Sequence, residues 1–118
     1  MTQQFRKIRK PFKAILTVQN PGDRLKVWLN GTLIFDNINR TPEMPESNKI
    51  DFTHKLKSGD NQIKVNGLNT SEEGQPSAEP WNFQYKIFWL NKYVAEIDES
   101  GPATETGWVY RKKHHLQK

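Results

Sequence analysis

Apolar and polar residues alternate with a period of two along most of this chain, as in strands that face a core on one side and water on the other. In 12–19, Phe12, Ala14, Leu16 and Val18 alternate with Lys13, Thr17 and Gln19. Asn20-Pro21-Gly22-Asp23 then reads as a tight turn. Leu25, Val27 and Leu29 share one face of 24–29, opposite Arg24, Lys26 and Trp28. Asn30-Gly31 follows, the dipeptide favoured where both turn positions need φ > 0, and the return strand is 32–36. A loop over 37–48 leads to a fourth strand, 49–56, with Ile50, Phe52, His54 and Leu56 on its apolar face. The turn 58–61, a strand at 62–66 and a polar loop at 67–80 come next. Trp81, Phe83, Tyr85, Ile87 and Trp89 line one face of the longest strand, 81–89. A turn near Asn91-Lys92 returns the chain through 93–97, an acidic loop spans 98–107, and 107–111 is the last strand. No stretch has the period of an amphipathic helix. The pattern predicts an all-β fold of about eight strands, a sandwich or barrel.

Composition narrows this picture. Only 34% of the residues are hydrophobic and the mean hydropathy is −0.88, so the core must be thin. Aromatic residues, at 11%, offset this because each buried ring removes a large area from water. The 118 residues fit one domain rather than two cores. There is no cysteine, which excludes disulfides and thiolate metal sites. The basic start of the chain lacks the apolar run of a signal peptide, and no segment is apolar enough to span a membrane, so a cytoplasmic location is expected.

Charge is concentrated at the ends. Residues 1–13 hold five bases and no acid, and 111–118 hold four bases and no acid. The segment between them has nine bases against all 13 acids. The expected organisation is a basic N-terminal arm at 1–11, a mildly acidic sandwich at 12–110 and a basic C-terminal tail at 111–118.

Two segments carry a family likeness. Val27-Trp28-Leu29-Asn30-Gly31-Thr32-Leu33-Ile34-Phe35 is similar to the strand–Asn-Gly–strand hairpin of galactose-binding-like jelly rolls. Residues 50–65 resemble the same family's strand, Leu-X-X-Gly-Asp/Glu-Asn turn and strand, carried here by Leu56, Gly59, Asp60 and Asn61. In that turn Gly59 takes a backbone conformation costly for other residues, and Asp60 or Asn61 satisfies turn amides. The resemblance covers 27–66 and is to the non-catalytic sugar-binding domains of the β-galactosidase superfamily. It implies an antiparallel sandwich of the jelly-roll type and a carbohydrate ligand.

The candidate chemistry is that of binding. Trp28 lies on the polar face of its strand, where an indole offers a platform for a sugar or a nucleobase unless a loop or the arm covers it. Trp81, with Glu79 and Asn82, sits where a long loop enters the aromatic strand, and either stacks on a sugar or closes one end of the core. Trp108, after the 98–107 loop, carries the same pair of readings. Asp98, Glu99 and Glu105 are hard oxygen ligands without the spacing of a Ca²⁺ loop, and read as solvated charge. His54 reads as a core or edge residue, and His114 with His115 as part of the tail, pointing to opposite faces and poorly suited to one metal. No metal or cofactor is expected. Without a serine elbow, a cysteine or a phosphate loop, no enzyme activity is expected.

The leading functional expectation is therefore a lectin-like, carbohydrate-binding module using Trp81, Asn82, Glu79, Trp108 and Trp28. The alternative is a structural protein, such as a virion or multi-subunit component, whose basic ends dock on a protein partner or a second copy. Those ends supply Arg6, Lys7, Arg9, Lys10, Arg111, Lys112 and Lys113. The same residues support a third reading, nucleic-acid binding. Against that, the body is net acidic and the strand faces lack a dense stripe of bases and aromatics.

Overall fold

The computed structural model describes residues 12–19, 24–37, 47–69, 80–105 and 107–118. The predicted arm at 1–11, with Arg6, Lys7, Arg9 and Lys10, lies outside the described residues, as does Glu79. The described residues form eight strands: β1 (Ile15–Gln19), β2 (Arg24–Leu29), β3 (Thr32–Asp36), β4 (Ser47–Asp51), β5 (Asp60–Asn69), β6 (Trp81–Trp89), β7 (Lys92–Gly101) and β8 (Gly107–Gln117). They make two antiparallel four-stranded sheets, β4-β1-β6-β7 and β3-β2-β5-β8, facing each other as a sandwich. Two hairpins, β2–β3 and β6–β7, stay within a sheet; the other connections pass between sheets.

Alternation decides which side of each strand is buried. Leu25, Val27 and Leu29 of β2, Ile63 and Val65 of β5, and Leu16 and Val18 of β1 meet Trp81, Phe83, Tyr85, Ile87 and Trp89 of β6. Each fully buried large side chain contributes about 1.5–3 kcal/mol relative to exposure. The backbone of β5 passes close under β6 at Gly67, where an added Cβ would stand 2.4 Å from the Phe83 ring. The predicted Asn-Gly turn is present, with φ of 49° at Asn30 and 86° at Gly31.

The second recognisable turn is tied down by one side chain. Gly59 has φ of 91°, in the left-handed region that favours glycine. Asn61, wholly buried, donates through Nδ2 to the carbonyls of Lys57 (2.8 Å), Gly59 (3.1 Å) and Leu116 (3.4 Å). Its Oδ1 accepts from Lys57 N and from Asn30 Nδ2, each at 2.9 Å. Asn30 Oδ1 in turn accepts from Gln62 N at 2.9 Å. One amide thus joins the turn, the β2–β3 hairpin and β8.

Three expectations need correction. The fourth strand ends at Asp51 rather than 56, and Thr53–Lys55 form a 3-10 turn. Local hydrogen bonding overrides the alternation there: Asp51 Oδ1 accepts from Thr53 N (3.0 Å) and Thr53 Oγ1 (2.5 Å). His54 is consequently exposed, not on a core face. The acidic segment after 97 is not loop throughout, because β7 continues to Gly101 against β6. Finally, 111–118 is no tail outside the sandwich: β8 runs to Gln117 and pairs with β5 from Gly107 to Gln117. Its inward positions are carried by Tyr110, His114 and Leu116, which reach the core while the bases between them stay wet.

Candidate functional site

Of the residues expected to hold a sugar, Trp81, Asn82 and Trp108 stand on three different surfaces. Trp81 is 6% exposed, packs on Phe83 with ring centroids 5.6 Å apart, and donates its indole N–H to Glu105 Oε1 at 3.0 Å. Its ring belongs to the end of the core. Asn82, the next residue on β6, points to the opposite side of that sheet and donates to Asp98 Oδ1 (2.8 Å) and Glu99 O (3.2 Å). Trp108 is 38% exposed but stands on the other sheet, paired across from Leu68. Among the described residues no group of three histidines, acids or cysteines is placed to hold a metal ion.

The outer face of the β3-β2-β5-β8 sheet gathers a different set. Register places Trp28 beside Lys64, and Lys64 beside Lys113; in the next row Lys26 stands beside Asn66, and Asn66 beside Arg111. All occupy the alternate positions left by the buried residues of β2 and β5. Lys64, Asn66, Arg111, Lys112 and Lys113 line a shallow cleft of about 650 Å³. Trp28 sits at its edge with Lys26 Nζ 5.3 Å and Lys64 Nζ 4.7 Å from the ring centroid. The indole is half-buried, and two ammonium groups rest on it.

This face is basic: Lys26, Lys64, Arg111 and Lys113 share it with two carboxylates, Asp36, directly across from Lys26, and Asp60 at the start of β5. Arg24 pairs with Asp36 at 3.1 Å, and His115 Nδ1 lies 3.1 Å from Asp60 Oδ2. Among the described residues neither contact involves Lys64, Arg111 or Lys113. Trp108 lies on the same face, roughly 15 Å from Trp28 by strand spacing and rise. Arg111, Lys112 and Lys113, expected in a tail, stand on the strand β8. Lys26 and Lys64 were missed. Their sequence signal was their phase: both occupy outward positions, like Arg111 and Lys113, but only the β2-β5-β8 pairing sets them side by side.

Beneath the cleft, β8 sends His114 inward. Tyr85 Oη is 2.7 Å from His114 Nε2 and 2.8 Å from Tyr110 Oη. Burial pushes both tyrosine hydroxyls up, so they stay protonated. Burial, with Lys112 and His115 nearby, holds His114 below its ordinary value of 6.5. The neutral imidazole is thus the folded form, whereas the unfolded chain takes up a proton more readily. Its stabilising contribution is full above about pH 6.5 and is lost as pH falls through the lower folded value. The urea midpoint of the wild type is expected to drop between pH 7 and pH 5, and His114→Gln should flatten that dependence. An equally steep drop in the variant would assign the effect to other groups.

No family model matches the chain, and neither a curated protein nor a solved structure is similar enough to match it.

Proposed function

We propose that the protein is a non-catalytic binding module for single-stranded nucleic acid, held across the outer face of the β3-β2-β5-β8 sheet. The observation that carries this reading is the set of four bases, Lys26, Lys64, Arg111 and Lys113, arranged on one face beside Trp28, with Lys112 on the bordering edge. A flexible phosphate chain follows such a row by ionic contact, and an indole among the bases gives a nucleobase a surface to stack on.

The lysines over Trp28 do not block that use. A cation over a half-buried ring such as Trp28 is worth about 0.5–2 kcal/mol, whereas stacking a base is worth about 1–3 kcal/mol. A base can therefore displace the ammonium groups, whose long stems let them swing to the flanking phosphates. A neutral sugar would leave the bases without a role, and Trp81, Asn82 and Trp108 do not share a surface on which to hold one.

Labelled oligothymidylate should bind the wild type, measured by fluorescence anisotropy at low salt. Trp28→Ala should weaken binding roughly 10-fold or more through lost stacking, while leaving its salt dependence unchanged. A sulfated polysaccharide that binds as tightly as the oligonucleotide, with no effect of Trp28→Ala on either, would mean a generic polyanion surface. Tight binding of a neutral glycan would favour the carbohydrate reading.

A further inference from the structure

The two strands bordering one side of the sandwich carry opposite charge. β6 packs over β8, through Tyr85 with Tyr110 and His114, so β7, its neighbour, and β8 edge their sheets on the same side. Among the described residues neither pairs with a further strand. β7 is exposed along most of its length, including Tyr93 at 52% and Val94 at 40%. Its outward positions hold Glu96 and Asp98, opposite Lys86 and Gln84 of β6. The outward positions of β8 hold Arg111 and Lys113.

We infer that this side is an interface between two copies of the chain, in which β7 of each copy pairs with β8 of the other. Direction permits it. The start of β6 lies beside Glu105, just before β8, and Trp89 at its end donates to Gln117 O at 3.3 Å. β6 and β8 therefore run the same way, and β7 runs against both. A two-fold axis along the strands, between the sheets, brings β7 antiparallel to the β8 of the second copy and extends each sheet from four strands to eight. The same rotation turns the outer face of one sheet into line with the outer face of the other.

Charge then selects the register and the symmetry. Setting Glu96 opposite Lys113 of the second copy sets Asp98 opposite Arg111, within a stretch that pairs in phase from Ala95–His114 to Glu99–Tyr110. Opposite charges directly across a strand pair are favourable. The extra residues of the two bulges, Val94 and Val109, fall just beyond opposite ends of this stretch and leave it uninterrupted. Pairing β7 with β7 would oppose acid to acid, and β8 with β8 base to base. Charged edges guard against such self-pairing, but edges of opposite sign do not guard against each other. Lys26, Trp28 and Lys64 lie away from this border, whereas Arg111 and Lys113 stand on it, so a bound polyanion and the pairing are expected to compete for them.

Sedimentation equilibrium without nucleic acid tests the interface. The wild type should show twice the 13.8 kDa chain mass at high micromolar concentration. Glu96→Lys/Asp98→Lys should be a folded monomer, and so should Arg111→Glu/Lys113→Glu, each opposing like charges at both junctions; circular dichroism checks the fold. An equimolar mixture of the two variants restores opposite charges at both junctions and should regain the doubled mass. A monomeric wild type, a dimer indifferent to either reversal, or a mixture that stays monomeric would overturn the inference. Because Glu96 and Asp98 lie outside the proposed nucleic-acid face, their reversal separates this idea's failure from that of the binding reading.

Discussion

Asn61→Ala is expected to remove about 3–4 kcal/mol of stability, enough to leave a marginal domain partly unfolded at 25 °C. The substitution deletes five hydrogen bonds made by one buried amide. It strands the Lys57 N–H, the Asn30 amide and the carbonyls facing Asn61, and each buried group left unsatisfied costs about 1–3 kcal/mol. Relaxation of the turn and entry of water recover part of that sum. Asn61→Asp should not rescue the protein, since a carboxylate accepts from Lys57 N and Asn30 Nδ2 but cannot donate to three carbonyls. Urea denaturation followed by tryptophan fluorescence would measure the loss. A shift below about 1 kcal/mol, within the range of ordinary surface substitutions, would show that the amide does not join the hairpin, the turn and β8.

How much of this was legible in the chain depends on the range of the interaction involved. The alternation in 81–89 identified Trp81, Phe83, Tyr85, Ile87 and Trp89 as one face, and all five are buried. Asn30-Gly31 and Gly59 announced their turns because the required φ is a local property. The 3-10 turn at 53–55 was hidden because Ile50, Phe52, His54 and Leu56 alternate as a strand does, while the competing signal was two polar groups, Asp51 and Thr53. β8 was cut short at 111 because Lys112, at an inward position on an edge strand, breaks the apolar pattern; the exposed edge lets its ammonium reach water. The basic face was illegible for a different reason. Lys26, Lys64 and Lys113 are separated by dozens of residues, and their adjacency is a product of strand order. Trp28 could be recognised as an outward indole, but not as one bracketed by lysines from two strands.

The largest effect on binding is expected from Lys26→Glu/Lys64→Glu, which leaves the β8 edge intact. Each phosphate contact on a single strand contributes about 0.7 to the slope of log affinity against log salt, so near 0.1 M salt its loss costs about fivefold. Two lost contacts give about 25-fold, and the repulsion of two introduced carboxylates extends this to about 100-fold or more. Both side chains lie on the solvent face, so the thermal stability of the variant should stay within about 1 kcal/mol of the wild type. A comparable loss accompanied by unfolding would say nothing about the face, which is why the melt is measured on the same sample.

The most direct test of the proposed face is the salt dependence of oligothymidylate binding by wild type and Lys26→Glu/Lys64→Glu. With four bases engaged, the wild-type slope should be about −2.8, falling to about −1.4 in the variant. Equal slopes, or a wild type that binds no oligonucleotide at low salt, would contradict the assignment of the β3-β2-β5-β8 face to a single-stranded nucleic acid.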